Sequence, residues 1–182
     1  MKRFLYYLVL FSVNLYSIAP RTDGMAAYGT HAAPLLTAVA HTTGPILELG
    51  CGDYSTPLLH AVCSGTKRLL LSVENNSAWL NLFLDMTTNW HKFALTKDWN
   101  TVGNDIHWSV VFVDNAPGEQ RVQDIARLRK NTDIFVAHDT QEVGYGYYKI
   151  LPSFKYSYVY TRYTTTTTVV SDVIDVRTFF NA

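Results

Sequence analysis

Two kinds of hydrophobic spacing alternate along the chain, and together they predict strands separated by helices. Short continuous apolar runs favour buried strands, whereas apolar residues three or four positions apart favour amphipathic helices. The predicted strands span residues 45–49, 68–74, 91–99, 108–114 and 133–139. The predicted helices span 31–42, 55–63, 77–86 and 118–130, and a short helix is expected within 145–154. This order indicates a parallel sheet that is covered by helices on both faces.

The last part of the chain departs from this alternation. Residues 155–163 and 164–172 are both predicted as strands, the second because its run of five threonines and two valines suits a pleated surface. Since no helix separates these strands, we expect an antiparallel hairpin at one edge of the sheet. The predicted fold is therefore an α/β three-layer sandwich with a seven-stranded, mostly parallel sheet and a C-terminal antiparallel hairpin.

Composition limits the classes of protein that remain. The 182 residues are enough for one domain with a sizeable core, and 48% of them are hydrophobic, which excludes a disordered chain. The formal net charge is zero and no dense run of Lys and Arg occurs. We therefore expect no nucleic-acid partner, because non-specific binding to phosphates depends on clustered positive charge. The oligomeric state is not determined by these features.

The two cysteines, Cys51 and Cys63, are expected to be free thiols. A disulfide would require the turn after the first strand to meet the end of the following helix. Their spacing also differs from that of structural zinc sites.

The N-terminal 27 residues form a separate segment by composition. A basic start precedes a short apolar stretch, a pattern that resembles a secretory signal. The stretch is short for a membrane span, so an anchor and a helix packed on the domain are alternatives. The domain itself is placed at residues 28–182. The expected location is cytoplasmic, or membrane-associated or secretory if the segment acts as a signal.

A glycine turn follows the first strand in the sequence E-L-G-C-G, residues 48–52. Gly50 and Gly52 would let the backbone approach a ligand closely. The next helix, starting near Ser55, would point its free N–H groups at the same place. Glu74, at the end of the second strand, is placed to accept hydrogen bonds from ribose hydroxyls. A dinucleotide site would want a third glycine where Ser55 stands, which disfavours an NAD(P)-dependent oxidoreductase.

The E-L-G-C-G motif, together with the terminal hairpin, resembles class I S-adenosylmethionine-dependent methyltransferases, which have a Rossmann-like fold. The resemblance covers about residues 31–182. It implies that Glu48 orients the amino-acid end of S-adenosylmethionine, that Glu74 holds its ribose and that Asp98 faces its adenine. The cofactor-binding residues implied in this way are Glu48, Gly50, Cys51, Gly52, Ser55, Thr56, Glu74, Asn75, Asp98, Trp99 and Asp114.

Acids also end the fourth and fifth strands, at Asp114 and Asp139. Neighbouring parallel strands end at the same edge of a sheet, where two carboxylates repel each other, and a Mg²⁺ ion would relieve the repulsion. This layout resembles the metal-dependent O-methyltransferases and implies Mg²⁺ at Asp114 and Asp139. The sequence departs from their pattern because His138 precedes Asp139 and no Asn follows it.

His138 has a competing role as a general base. A histidine with a pKa near neutrality can take the proton from a hydroxyl acceptor, particularly when Asp114 or Asp139 orients it. The catalytic candidates are therefore His138, Asp139 and Asp114. A purely structural role at the strand end is the alternative for His138.

Residues flanking these motifs are candidates for covering the site. Tyr145, Tyr147 and Tyr148 are expected either to wall an acceptor pocket or to pack in the core. Tyr28 and His31, which precede the first helix, are candidates for lid contacts over the cofactor.

The sequence thus predicts an S-adenosylmethionine-dependent methyltransferase that methylates a hydroxyl of a small or sugar acceptor. A glycan acceptor is expected if the N-terminal segment directs the chain to a membrane. The main alternative is a non-catalytic binding or scaffold subunit with the same fold.

Overall fold

The computed structural model describes residues 29–163 and 165–180. Its seven strands are β1 (Ile46–Leu49), β2 (Leu70–Glu74), β3 (His91–Leu95), β4 (Trp108–Val113), β5 (Thr132–His138), β6 (Tyr156–Tyr160) and β7 (Thr167–Ser171). They form one sheet in the order β3-β2-β1-β4-β5-β7-β6. Strands β1 to β5 are parallel, whereas β7 pairs antiparallel with both β5 and β6. The predicted sheet and its edge hairpin are confirmed.

Four α-helices accompany the strands in the described part of the chain: α1 (Ala32–Ala40), α2 (Ser55–Thr66), α3 (Ser77–Leu80) and α4 (Gln120–Leu128). Successive residues of each strand point to opposite faces of the sheet, and each face has its own hydrophobic core. Helices α1 and α2 cover the face that carries Phe112, and α4 covers the face that carries Val113. The predicted three-layer arrangement is therefore confirmed.

Three predicted elements are shorter than expected. The helix predicted over 77–86 stops at Leu80, and a turn and a short 3₁₀ helix (Leu84–Met86) follow it, with Phe83 buried and Leu82 exposed. The third strand ends at Leu95, after which Asp98 caps a 3₁₀ helix. Residues 145–154 form 3₁₀ turns rather than one helix, with Gly146 in the left-handed region at φ +78°.

Both cysteines are buried and free, as predicted. No helix within residues 29–163 and 165–180 is long and apolar enough to cross a membrane. The N-terminal segment 1–27 and Tyr28 lie outside the described residues, so the expectations for them stay predictions.

Candidate active site

The loop after β1 lies against the loop after β4, and Gly50 is the point of contact. Its φ of +88° is in the left-handed region, and a β-carbon there would lie 2.7 Å from the carbonyl oxygen of Asp114. The Gly50 N–H donates to the carbonyl of Val73 in β2 at 2.9 Å. Only glycine combines this backbone conformation with so close an approach.

The carboxylate of Glu74 joins two of the loops at this edge of the sheet. Its Oε2 accepts from the backbone N–H of Cys51 at 3.0 Å, and its Oε1 accepts from the N–H groups of Asn75 and Asn76 at 2.9 Å each. The side chain is 7% exposed. Glu74 therefore holds the glycine turn against the end of β2 through hydrogen bonds to both segments.

Glu48 lies beneath the glycine turn, fully buried. Its carboxylate accepts hydrogen bonds from Thr56 at 3.0 and 3.1 Å and from Ser72, and the Thr56 hydroxyl in turn accepts from the N–H of Gly52 at 3.0 Å. Burial raises the pKa of Glu48 to about 7. Glu48 therefore positions the glycine turn indirectly, through the Thr56 hydroxyl. Its carboxylate would influence a cofactor by holding the turn rather than by direct contact.

The neighbours of the turn are also mostly buried. Ser55 is 1% exposed, and Cys51 is 8% exposed with its carbonyl accepting from the indole N–H of Trp79 at 2.7 Å. Burial raises the pKa of the Cys51 thiol, so this side chain is no nucleophile. Trp79, in α3, therefore helps to hold the glycine turn, a role that its place in the sequence does not reveal.

The two neighbouring residues predicted near the adenine, Asp98 and Trp99, have different environments in the structure. Asp98 is exposed, and its carboxylate accepts from the N–H of Asn100 at 3.0 Å as a cap. Trp99 is buried in the core and donates to the carbonyl of Ala116 at 3.0 Å, and Asn75 donates to the same carbonyl at 2.8 Å. Trp99 and Asn75 therefore fix the loop after β4, and their contact with a cofactor stays a prediction.

Arg121, in α4, lies between Asp114 and Asp139, the two acids that directly follow β4 and β5. Its guanidinium is 3.0 Å from Asp114 Oδ1 and 3.5 Å from Asp139 Oδ2, and it donates to the carbonyl of Asn115 at 2.7 Å. Arg121 is 6% exposed. Sequence reasoning missed Arg121, although an Arg in the first turn of the helix that follows an acidic strand end is a usable signal.

This ion pairing changes the interpretation of the acidic pair. Mg²⁺ was predicted at Asp114 and Asp139 because two carboxylates need a counter-charge, and Arg121 supplies that charge permanently. The repulsion between Asp114 and Asp139, which was the reason to expect Mg²⁺, is therefore relieved without an ion, and the structure adds no support for Mg²⁺ at this pair.

The three catalytic candidates do lie together. His138 Nδ1 is 3.2 Å from Asp114 Oδ1, without the alignment of a hydrogen bond, and Nε2 is 3.5 Å from Asp139 Oδ1. Nε2 also lies 3.0 Å from the hydroxyl of Thr30. His138 is 3% exposed, so it sits just below the rim that its two acidic neighbours form.

His31 completes this cluster from the N-terminal side of α1. Its ring centroid lies 4.7 Å from that of His138 and 4.7 Å from that of Phe112. Burial, together with the nearby His138, lowers the pKa of His31 to about 4. His31 is therefore a neutral ring within the domain, 2% exposed, rather than an exposed lid residue.

The ring nitrogens of His31 are unsatisfied. Neither Nδ1 nor Nε2 has a hydrogen-bond partner among the described residues, and the same is true of His138 Nδ1. A buried polar group without a partner costs about 1–3 kcal/mol of folding free energy. Such a cost, at neighbouring side chains, calls for a physical reason.

The predicted tyrosines approach the acidic rim from the side that α4 covers: the Tyr145 ring lies 4.8 Å from the Arg121 guanidinium, and that guanidinium also offsets part of the rise that burial causes in the pKa of Tyr147. Tyr147 and Tyr148 line a groove with Leu151 and Thr168, on the face of the sheet that α4 covers. His138 lies on the other face, towards α1. Tyr145 and Tyr147 therefore lie beside Arg121, on the opposite face of the sheet from the His138 ring, and their contact with an acceptor stays a prediction.

No protein-family model matches the sequence, and a comparison with curated proteins finds no match. Solved structures do match. One is TrmK of M. capricolum in complex with S-adenosyl-homocysteine, at 11% identity and a TM-score of 0.54, covering 78% of this chain and 67% of that chain. Another is the human methyltransferase 10 domain containing protein, at 16% identity and a TM-score of 0.54, covering 78% of each chain.

A third is the hMettl16 catalytic domain in complex with the MAT2A 3′UTR hairpin 1, at 11% identity and a TM-score of 0.56, covering 80% of this chain and 70% of that chain. These neighbours are class I S-adenosylmethionine-dependent methyltransferases, and the chain has their Rossmann-like fold. The finer resemblance to small-molecule or sugar O-methyltransferases stays a prediction.

The comparison also corrects one prediction. The chain was expected to have no nucleic-acid partner, and a protein of the same fold was solved bound to an RNA hairpin. The exclusion was wrong because net charge and runs of Lys and Arg describe the linear chain. A binding surface is assembled by the fold from separate segments, so its charge cannot be read from a run.

Proposed function

We propose that this protein is an S-adenosylmethionine-dependent methyltransferase that acts on a hydroxyl of a small or sugar acceptor. The observation that supports this class of cofactor is the position of Glu74. Its carboxylate accepts hydrogen bonds from three backbone N–H groups at the rim, where the glycine turn begins. The structure of TrmK, solved with S-adenosyl-homocysteine, supports the same cofactor for this fold.

The residues at the rim fit such a cofactor. A carboxylate has about four lone-pair positions, and the amides of Cys51, Asn75 and Asn76 use three, which leaves one for a ribose hydroxyl. The backbone at Gly50 and Gly52 would lie against the amino-acid end. Bound there, the cofactor would supply a methyl group on a positively charged sulfur.

The acceptor side of the site is the pair of His138 and Asp114. A hydroxyl becomes a nucleophile when it loses its proton, and an imidazole suits that task. Asp114, 3.2 Å from Nδ1, would stabilise the ring once it carries the proton. In the proposed transfer the acceptor oxygen gains the methyl group, His138 takes the hydroxyl proton, and S-adenosylhomocysteine leaves.

A second acceptor class is favoured by the comparison with known structures. The RNA hairpin bound by hMettl16 makes RNA a candidate, and its ribose 2′-hydroxyl offers the same chemistry as a sugar. A non-catalytic subunit that binds the cofactor without transfer is the remaining alternative.

The first experiment is calorimetric titration of the protein with S-adenosylhomocysteine and, separately, with NAD. We expect binding of the former alone and at least a tenfold weaker affinity in Glu74→Ala. Asp85→Ala, which removes an exposed acid, is the matched control and should bind as wild type does. Absence of binding to folded wild-type protein would reject the methyltransferase proposal.

The acceptor is then sought with cofactor labelled on the methyl group. Sugars, small hydroxylated compounds and short RNA are separate arms, and label in the RNA arm alone would favour the second acceptor class. Cofactor binding without label in any arm would favour the non-catalytic subunit.

A further inference from the structure

Three side chains from distant parts of the chain meet below the rim of the candidate site. His31 precedes α1, Asp114 follows β4 and His138 ends β5. One ligand-type atom from each lies within 4.8 Å of the others. We propose that His31, Asp114 and His138 together bind one divalent transition-metal ion.

Unsatisfied nitrogens are the first argument for this site. In the described part of the chain, both ring nitrogens of His31 and Nδ1 of His138 lack a hydrogen-bond partner although both rings are at least 97% buried. Such unpartnered nitrogens are available to bind a cation, because a neutral imidazole binds a metal ion through a free lone pair. An ion held between the rings would bind one nitrogen of His31 and Nδ1 of His138, which satisfies two of these three atoms.

The surroundings also orient the proposed ligands. The hydroxyl of Thr30, 3.0 Å from His138 Nε2, can accept the ring N–H, which leaves the lone pair on Nδ1, the atom nearer Asp114. Such a contact on the far nitrogen is typical of metal-binding histidines. Arg121 contacts Asp114 through Oδ1, as does His138, so Oδ2 is the carboxylate atom we assign to the ion.

The donor set selects the class of ion. Two imidazoles and one carboxylate suit Zn²⁺ or Fe²⁺, whereas Mg²⁺ prefers oxygen ligands. A tetrahedral site with ligand bonds of 2.0–2.1 Å separates its donors by about 3.4 Å. Ligand atoms that now lie as much as 4.8 Å apart would therefore have to approach each other by up to about 1.4 Å on binding.

The site would change one step of the proposed reaction. Three protein ligands leave at least one coordination position open, and an acceptor hydroxyl could occupy it. His138 would then be a ligand rather than the base, and the ion would lower the pKa of the bound hydroxyl so that its proton passes to solvent water. This step rests on the proposed function, whereas metal binding itself does not.

The test is titration of the chelator-treated full chain with Co²⁺ alone, followed by the visible absorption of the ion and by elemental analysis after dialysis. We expect one equivalent of Co²⁺, displaced by Zn²⁺ and unaffected by excess Mg²⁺. His31→Ala and His138→Ala should each weaken the affinity at least a hundredfold. His107→Ala, which removes an exposed histidine paired with Asp133 at the opposite end of β4 and β5, should bind as wild type does.

Several results would overturn the inference. These are no cobalt spectrum with folded wild-type protein, unchanged affinity in both histidine variants, or loss of binding in His107→Ala. Folding of each variant is checked by circular dichroism, and the wild-type stoichiometry decides the matter if a variant fails to fold. Titration with S-adenosylhomocysteine on the same samples separates the two proposals, since either ligand can bind while the other does not.

Discussion

Gly50 and Asp114 are in backbone contact, with so little space that a β-carbon on Gly50 would lie 2.7 Å from the Asp114 carbonyl oxygen. This contact fastens the turn after β1 to the loop after β4. It makes the geometry of the proposed cofactor turn and that of the acidic rim depend on each other.

Gly50→Ala should therefore damage both the fold and the site. The left-handed φ costs a residue with a β-carbon about 1–2 kcal/mol, and the contact with Asp114 adds to that. We expect at least about 2 kcal/mol less free energy of unfolding and loss of S-adenosylhomocysteine binding, measured by urea denaturation and calorimetry. Gly65→Ala is the control, because open space surrounds that helical glycine and alanine there should be neutral or stabilising. Equal behaviour of the two variants would contradict the assigned contact.

Glu48 should make the protein less stable as pH rises. The folded pKa of about 7 lies above the ordinary value of 4.5 for a glutamate, so the stabilisation is complete below pH 4.5 and is lost as pH rises through 7. A difference of this size corresponds to about 3 kcal/mol. Glu48→Gln should flatten this part of the profile in urea denaturation at pH 5 to 8, and Glu142→Gln, at an exposed position, should not. A wild-type slope retained in Glu48→Gln would refute the assignment.

His91 should act in the opposite direction. It is fully buried, with Nδ1 2.9 Å from Nδ1 of His60 and Nε2 3.0 Å from the Ser72 hydroxyl. Burial, reinforced by His60, lowers the pKa of His91 from 6.5 to about 4, so stability present above 6.5 is lost as pH falls through 4. His91→Gln should lose less stability than wild type between pH 6.5 and 4, measured by thermal unfolding. His107→Gln provides the comparison, and an unchanged acid slope in His91→Gln would count against this role.

Arg121 should contribute more to the free energy of unfolding than an ordinary surface cation does. It is buried and bonded to two carboxylates and to the carbonyl of Asn115, so removing it leaves Asp114 and Asp139 to repel each other. Breaking a buried ion pair in this way typically costs about 3–5 kcal/mol. We expect Arg121→Met to lower the unfolding free energy by an amount in that range in urea denaturation.

Arg177→Met is the matched control for Arg121. Arg177 also pairs with an aspartate, Asp175, but its side chain is 54% exposed. Solvent screens such a pair, and no measurable change in stability is expected. Comparable losses in the two variants would mean that burial of Arg121 is not what makes it important.

Local sequence patterns determined most of the framework. Continuous apolar runs predicted the strands, and the absence of a helix after 155–163 predicted the edge hairpin of β6 and β7. The glycine turn and Glu74 could also be located, because strand ends and turn residues are fixed by interactions between near neighbours in the chain. Where several weak local preferences competed, as over 77–86, the predicted element was too long.

The contents of the site were decided only by tertiary structure. Thr30 and His138 are 108 residues apart in the chain, yet their side chains are 3.0 Å apart. No spacing along the sequence records that α1 brings His31 against His138, or that Arg121 turns inward between two acids. Periodicity shows which face of an element is buried, whereas the partner it meets there depends on how the layers pack. The sequence therefore determined the edge at which a site forms, and the packing of distant segments determined its charge, its unsatisfied nitrogens and its possible ligands.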